Sequence, residues 1–195
     1  PASLVAVSGN LCSDKKPAAI NAVEGRGRSV TADVLIPGEL VEERLHTTAD
    51  AIAEANTRKN LTGSAKAGSF GFNAHAANVI AAAFLATGQD EAQVVEGANA
   101  ITTMEARERE DDTTDLYAAV SLASLEVGTV GGGTKLPTQA EALEVLGLRG
   151  GGDPAGSNAD ALAEIIAVGA LAGELSLLAA LSSRHLASAH EDLGR

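Results

Sequence analysis

One stretch constrains this chain more than any other. Asn73 to Thr87 (NAHAANVIAAAFLAT) is apolar on nearly every face at helical spacing. A helix of that kind belongs at the centre of a domain, with other elements packed around it. Gly88 follows and can take the left-handed conformation that ends a helix. The packing material is small. Phe70, Phe72, Phe84 and Tyr117 are the only aromatics, and Trp is absent, so Ala, Gly, Val and Leu must build the core. At 195 residues the chain has room for one large domain, or a domain plus a fragment.

Other elements can be placed around that helix. Residues 3–7 read as a short buried strand, and the start at Pro1 reads as an internal boundary. Residues 28–36 (RSVTADVLI) are β-branched and read as a second strand. Pro37 opens a helix expected to reach about Ala55. Gly63 to Phe72 is rich in small residues and reads as a loop or a very tightly packed backbone. Residues 99–106 and 115–127 read as strands joined by the charged connection Arg107 to Thr114. Pro137 to Leu146 is a short helix. Asn158 is expected to cap a final helix to about Leu193, with a break near Gly169 or Gly173. Ile165 to Leu181 is the most apolar segment, but Glu174 interrupts it, so a buried helix is expected rather than a membrane span. Strands and helices are grouped rather than alternating, which predicts an α+β fold.

The chain carries 26 acidic and 14 basic residues, a net charge of −12, and only five of the bases are Lys. This excludes nucleic-acid binding through a basic field. The acidic excess serves either solubility alone or life in a high-salt cytoplasm. An anion site in such a field must gather its own cations. A single cysteine, Cys12, excludes an internal disulfide and fits a reducing compartment.

Several groups can do chemistry. Asp14-Lys15-Lys16-Pro17 sets two of the five lysines side by side in a loop stiffened by proline. A lysine held there can stabilise a developing oxyanion, and its neighbour can bind a carboxylate. Asp90 follows the central helix, whose negative end is expected to raise its pKa. His75 and Asn78, three apart, are expected to share a helix face, where core hydrogen bonding and a ligand pocket fit equally well. Gly128 to Thr134 lies between a strand and a helix, a suitable place for an anion, yet it is neither a dinucleotide fingerprint nor a P-loop. No Cys/His cluster has metal-ligand spacing, so no metal site is expected.

Together these stretches resemble a known family. They are SGNLCSDKKPAAINAVEGRGRSV at 8–30, KNLTGSAKAGSFGFNAHAAN at 59–78, TGQDEAQ at 87–93, DLYAAVSLASLEVGTVGGGTKL at 115–136, AGELSLLAAL at 172–181 and HLASAH at 185–190. In this order they resemble 3-hydroxy-3-methylglutaryl-coenzyme A (HMG-CoA) reductase of the class shared by archaea and eukaryotes, in its C-terminal half. The resemblance implies that HMG-CoA is reduced by NADPH, through two hydride transfers, to mevalonate and free coenzyme A. It implies a large, mostly helical domain (18–195) around the central helix. An inserted small NADP-binding domain would end in residues 1–7, and 8–17 would be the active-site loop.

The resemblance also implies roles. Lys15 matches the catalytic lysine, Asp90 the catalytic aspartate and His190 the histidine that protonates the departing thiolate. Ser8, Asp14, Lys16, Lys59 and Asn78 match positions around the hydroxymethylglutaryl group, with His75 grouped beside them. Gly131, Gly132, Gly133 and Thr134 match a segment near the nicotinamide, and Arg195 a basic residue near the NADP phosphate. His46 stands where many relatives have a CoA-binding lysine, which leaves that contact to Arg44. The family's catalytic glutamate matches nothing in this chain and is expected upstream. A cytoplasmic homodimer or tetramer with shared active sites and no membrane anchor is implied, of archaeal, halophilic type. The rival reading is a degenerate relative that only binds CoA or only forms oligomers.

The charge makes one prediction independent of the family. Salt shortens the Debye length from about 10 Å at 0.1 M to about 3 Å at 1 M, which screens self-repulsion. The melting temperature is expected to rise with KCl between about 0.1 M and about 2 M. A flat or falling trend in thermal melts would remove the high-salt reading.

Overall fold

A computed structural model describes the main chain of residues 2–193 and the side chains of residues 2–183. Its sheet has three antiparallel strands, β1 (Arg28–Ile36), β2 (Ala100–Glu108) and β3 (Thr114–Leu125), in the order β1-β3-β2. The hairpin β2–β3 pairs Ala100 with Leu122 and Glu108 with Thr114. β1 pairs Val30 with Leu122 and Ile36 with Leu116, with a register irregularity between Arg28 and Val30. The middle strand carries the core, because Leu116, Ala118, Val120 and Leu122 are fully buried.

The helices are α1 (Ala19–Val23), α2 (Gly38–Leu45), α3 (Ala49–Ala55), α4 (Ser64–Ala67), α5 (Ala76–Thr87), α6 (Val94–Gly97), α7 (Pro137–Val145) and α8 (Ser157–Leu193). A π-helical turn, Asn56–Gly63, joins α3 to α4. α8 lies on β1 and β3, α3 lies on β2, and α5 packs against α8, α7 and α6. The mixture of helix and sheet is the α+β class expected.

Several expectations are corrected. Residues 3–7 form no strand: they pair with nothing among the described residues, and Leu4, Val5 and Val7 stand 82–98% exposed. A strand needs a partner to satisfy its main chain, and none is present here. The helix after Pro37 is two helices. His46 turns left-handed (φ 54°) and ends α2, and the Thr48 hydroxyl then caps α3 by accepting from the Ala51 amide at 3.2 Å. Segment 63–72, expected as a loop or tightly packed backbone, is helical in part, as α4. α8 runs unbroken through Gly169 and Gly173. Asn158 is not its cap, since its amide donates back to the carbonyls of Arg149 and Gly150.

The expected centrality of α5 is only half realised. Ala76, Ile80 and Phe84 are fully buried, but Ala82, Ala86 and Leu85, 62% exposed, meet no covering element among the described residues. α8 touches more of the fold. Ser157–Ser183 is long and apolar enough to cross a membrane, with a mean hydropathy of 2.0. Here its apolar side chains Leu162, Ile166, Leu171 and Leu178 are packed into the protein core.

α8 also carries a buried charge that joins three elements. Glu174 is 0% exposed. It accepts hydrogen bonds from the amides of Ala74 and His75 and from the Thr102 hydroxyl, each at 2.7 Å. Those amides sit at the N-terminus of α5, where the helix dipole favours an anion. Glu174→Ala would orphan three buried donors and is expected to destabilise the fold by about 3 kcal/mol or more. Denaturant unfolding checks this, and a loss under about 1 kcal/mol would contradict the account.

Candidate active site

The polar loop 8–17 is folded by its own side chains. Lys16 Nζ donates to the carbonyls of Asn10 (2.9 Å) and Cys12 (2.6 Å). Buried Asn21, on α1, donates to the carbonyls of Ser13 and Lys16 and pins the loop's exit. Ser8 accepts from the Asn10 amide. Lys15 is left-handed at φ 57°. Its Nζ reaches Asp90 Oδ2 at 2.7 Å, although 75 residues separate the two in the chain.

Asp90 does not behave as its place after α5 suggested. Gly88 ends that helix in a left-handed turn (φ 72°), and Asp90 opens a 3-10 turn, Glu91–Gln93, by accepting from the Ala92 amide. The expected rise in pKa is therefore corrected to a fall: the hydrogen bond from Lys15 and the Ala92 amide hold the carboxyl below its ordinary range. Lys15 is correspondingly raised by its hydrogen bond and charge contact with Asp90. Both are half exposed and fully charged near neutrality. The sign follows from these directions. The pair is complete above the ordinary carboxylate pKa and is lost only as pH falls through the depressed value of Asp90.

Gln89, between Gly88 and Asp90, locks this corner to the sheet. Its amide exchanges two hydrogen bonds with the main chain of Gly128, at 2.9 and 2.8 Å, as a strand partner would. The glycine-rich segment after β3 then folds back over the end of α5. Gly88 and Gly133 touch so closely that a Cβ on Gly88 would stand 2.4 Å from the Gly133 carbonyl. Asp90, Glu126, Gly88 and Gly131 to Thr134 line a cavity of about 520 Å³. Thr134 closes the loop by donating from its hydroxyl and its amide to the Gly131 carbonyl.

Behind the loop lies a charged cluster that local sequence patterns do not reveal. Carboxylate oxygens of Asp14, Glu96 and Glu126 lie within 4.8 Å of one another. Arg26 is their counter-ion, 3.3 Å from Asp14 and 2.6 Å from Glu126. Desolvation works against the Arg26 charge, but Glu126, Asp14 and Glu96 outweigh it and raise its pKa. Desolvation also raises Glu126, against the pull of Arg26. Gln93 donates to Asp14 at 2.9 Å.

Other expected site residues lie elsewhere. Lys59 lines a separate cavity of about 660 Å³ with Glu54, Arg58, Leu181 and Ser182, and donates to Asn60. Arg44 is exposed on α2 and pairs with Glu43. His75 does not share a helix face with Asn78, because it precedes α5 as its N-cap (φ −158°). Its Nε2 meets the Gly173 carbonyl at 2.8 Å, while Asn78 is exposed. The His190 side chain and Arg195 lie outside the described residues.

Comparison with known proteins bears on this geometry. The family model described as hydroxymethylglutaryl-coenzyme A reductase matches residues 1–195. The chain is similar to the 3-hydroxy-3-methylglutaryl-coenzyme A reductases of Haloferax volcanii, at 79% identity over 194 residues, and Halobacterium salinarum, at 80% over 195. Each match covers 100% of this chain and 47% of the relative. It is similar also to 3-hydroxy-3-methylglutaryl-coenzyme A reductase 1 of Dictyostelium discoideum, at 52% identity, covering 99% of this chain and 35% of the relative. The chain thus spans about half the length of its archaeal relatives. A match along its whole length, through the lysine loop, the Gly-Gln-Asp corner and the glycine-rich segment, places it plainly: the chain belongs to the hydroxymethylglutaryl-coenzyme A reductase family.

Proposed function

We propose that this chain supplies one half of a reductive site that turns HMG-CoA into mevalonate and free coenzyme A with two molecules of NADPH. The observation that carries the reading is the Lys15–Asp90 pair, with Asp90 at 2.7 Å lining the cavity under the glycine-rich loop. Reduction of a thioester needs a cation where negative charge develops on the carbonyl oxygen. Lys15, kept protonated by Asp90, is that cation.

The residues present fit the nicotinamide end of NADPH. A Cβ on Gly131 or Gly132 would meet nothing within 4 Å, so the main chain there is open to a flat ring. Gly131, Gly132, Gly133 and Thr134 would hold it, and Arg195 would meet its phosphate. NADPH supplies hydride when bound. Lys15 holds a proton at Nζ against the substrate oxygen, first of the thioester and then of the aldehyde. Asp90 orients Lys15 and keeps it charged. Two hydrides and two protons are consumed in all: one proton ends on the mevalonate hydroxyl and the other, as the hemithioacetal oxyanion held by Lys15 collapses to the aldehyde, on the departing thiol. Its thiolate takes a proton from His190, whose ordinary pKa of about 6.5 suits donation to a thiol of about 8.5.

Ser8, Asp14, Lys16, Lys59, His75 and Asn78 surround the acyl group in this reading, and Arg44 meets coenzyme A. Lys59 and Asp90, the partner of Lys15, line different cavities of one chain, which favours an oligomer whose sites draw on two subunits. In this reading the setting is cytoplasmic and salt-rich.

The test is HMG-CoA-dependent NADPH oxidation by a protein carrying this segment and the rest of the family's length. Lys15→Ala is expected to lower kcat by about 10²-fold or more, and Lys59→Ala chiefly to raise KM. His190→Gln should depress HMG-CoA turnover strongly yet spare reduction of free mevaldehyde, which has no thiolate to protonate. Equal losses on both substrates would sink the thiolate role.

A further inference from the structure

The left-handed backbone of Lys15 is disfavoured in an L-residue, so something must hold it there. The segment 90–97 does so at three points. Asp90 takes the Lys15 side chain. Gln93 takes the Asp14 carboxylate. Glu96, on α6, takes the Lys15 amide on its Oε1. Glu96 is 0% exposed, and its other oxygen has no hydrogen-bond partner. A buried carboxylate left half satisfied is unfavourable unless it secures something else. What it secures is a charge-assisted bond to the one main-chain amide that fixes where Lys15 points.

We propose that Glu96 is a positioning residue for Lys15: its buried carboxylate clamps the Lys15 amide and thereby aims Nζ at Asp90 and the reacting oxygen. The charge is tolerated because Arg26 stands among Asp14, Glu126 and Glu96 and supplies the opposing cation. Glu96 touches no substrate in this account and acts only through residue 15. The proposal deepens the functional reading and rests on Lys15 meeting the substrate oxygen.

The test compares Glu96→Ala, Glu96→Gln and Glu96→Asp in a protein carrying this segment and the rest of the family's length. Glu96→Ala is expected to lower kcat on HMG-CoA by about 10- to 100-fold with KM nearly unchanged. It should also speed hydrogen exchange of the amides in residues 10–17. Glu96→Gln keeps a carbonyl acceptor and is expected to recover much of both effects. Glu96→Asp, one methylene short, should lower kcat and loosen the loop while melting stays near the parent's. Unchanged kcat and unchanged loop exchange in the Ala and Asp variants would overturn the proposal. So would losses that follow melting temperature across all three. If Glu96→Ala does not fold, the Gln and Asp variants decide by the same readouts. If the parent protein fails to oxidise NADPH with HMG-CoA, the functional reading fails. The exchange data alone then decide whether Glu96 holds the loop.

Discussion

A single buried carboxylate organises this fold. Glu174 has no access to water, so its charge must be met entirely by protein. Two of its donors are the amides that precede α5, and the third is the Thr102 hydroxyl on β2. The interaction therefore fixes α8, α5 and the sheet relative to one another. α5 is 12 residues long, which sets its far end about 18 Å away. That far end is Gly88-Gln89-Asp90. The position of the acidic half of the candidate site is thus inherited from an ion held at the opposite end of the helix.

At that far end, electrostatics run against the chain's overall sign. Net charge is −12, yet Lys15, Lys16 and Arg26 gather around one loop. Asp14, Asp90, Glu96 and Glu126 surround Lys15 and Arg26 and hold both protonated. The Lys15–Asp90 pair stays charged across neutral pH, because the lysine is raised and the aspartate lowered. Neither member is poised to titrate there.

The sequence was most legible where structure is local. β1 was read at 28–36 because β-branched residues and a following proline bound it. Gly88 was read as a stop because only a left-handed residue closes a helix in that way. Legibility failed where partners are distant. Residues 3–7 look like a strand, but hydrophobicity cannot report whether a neighbour exists to pair with. Lys15 and Asp90 were singled out separately, whereas Arg26, Gln93, Glu96 and Glu126 were not. Glu96 is 81 residues from the amide it holds, and no local pattern marks a charge destined for the interior. Glu174 gave the better signal, as an acid inside an apolar run that must find donors or be excluded.

α8 runs unbroken where its glycines predict a break. Glycine loosens a helix, and the sequence therefore predicts a break near Gly169 or Gly173. In the fold they are points of approach. A Cβ on Gly173 would stand 3.0 Å from Val79 and 3.3 Å from the His75 ring, and one on Gly169 would stand 3.6 Å from Val79. A side chain at Gly173 would press α5 away from α8, whereas a Cβ at Gly169 would make only ordinary van der Waals contact. Glu174 follows Gly173 directly, and its short side chain must span the gap to the amides of Ala74 and His75. His75 itself closes on the Gly173 carbonyl at 2.8 Å. Gly173 therefore trades helix propensity for helix contact, and that contact is what allows one carboxylate to anchor the helix that leads to Asp90.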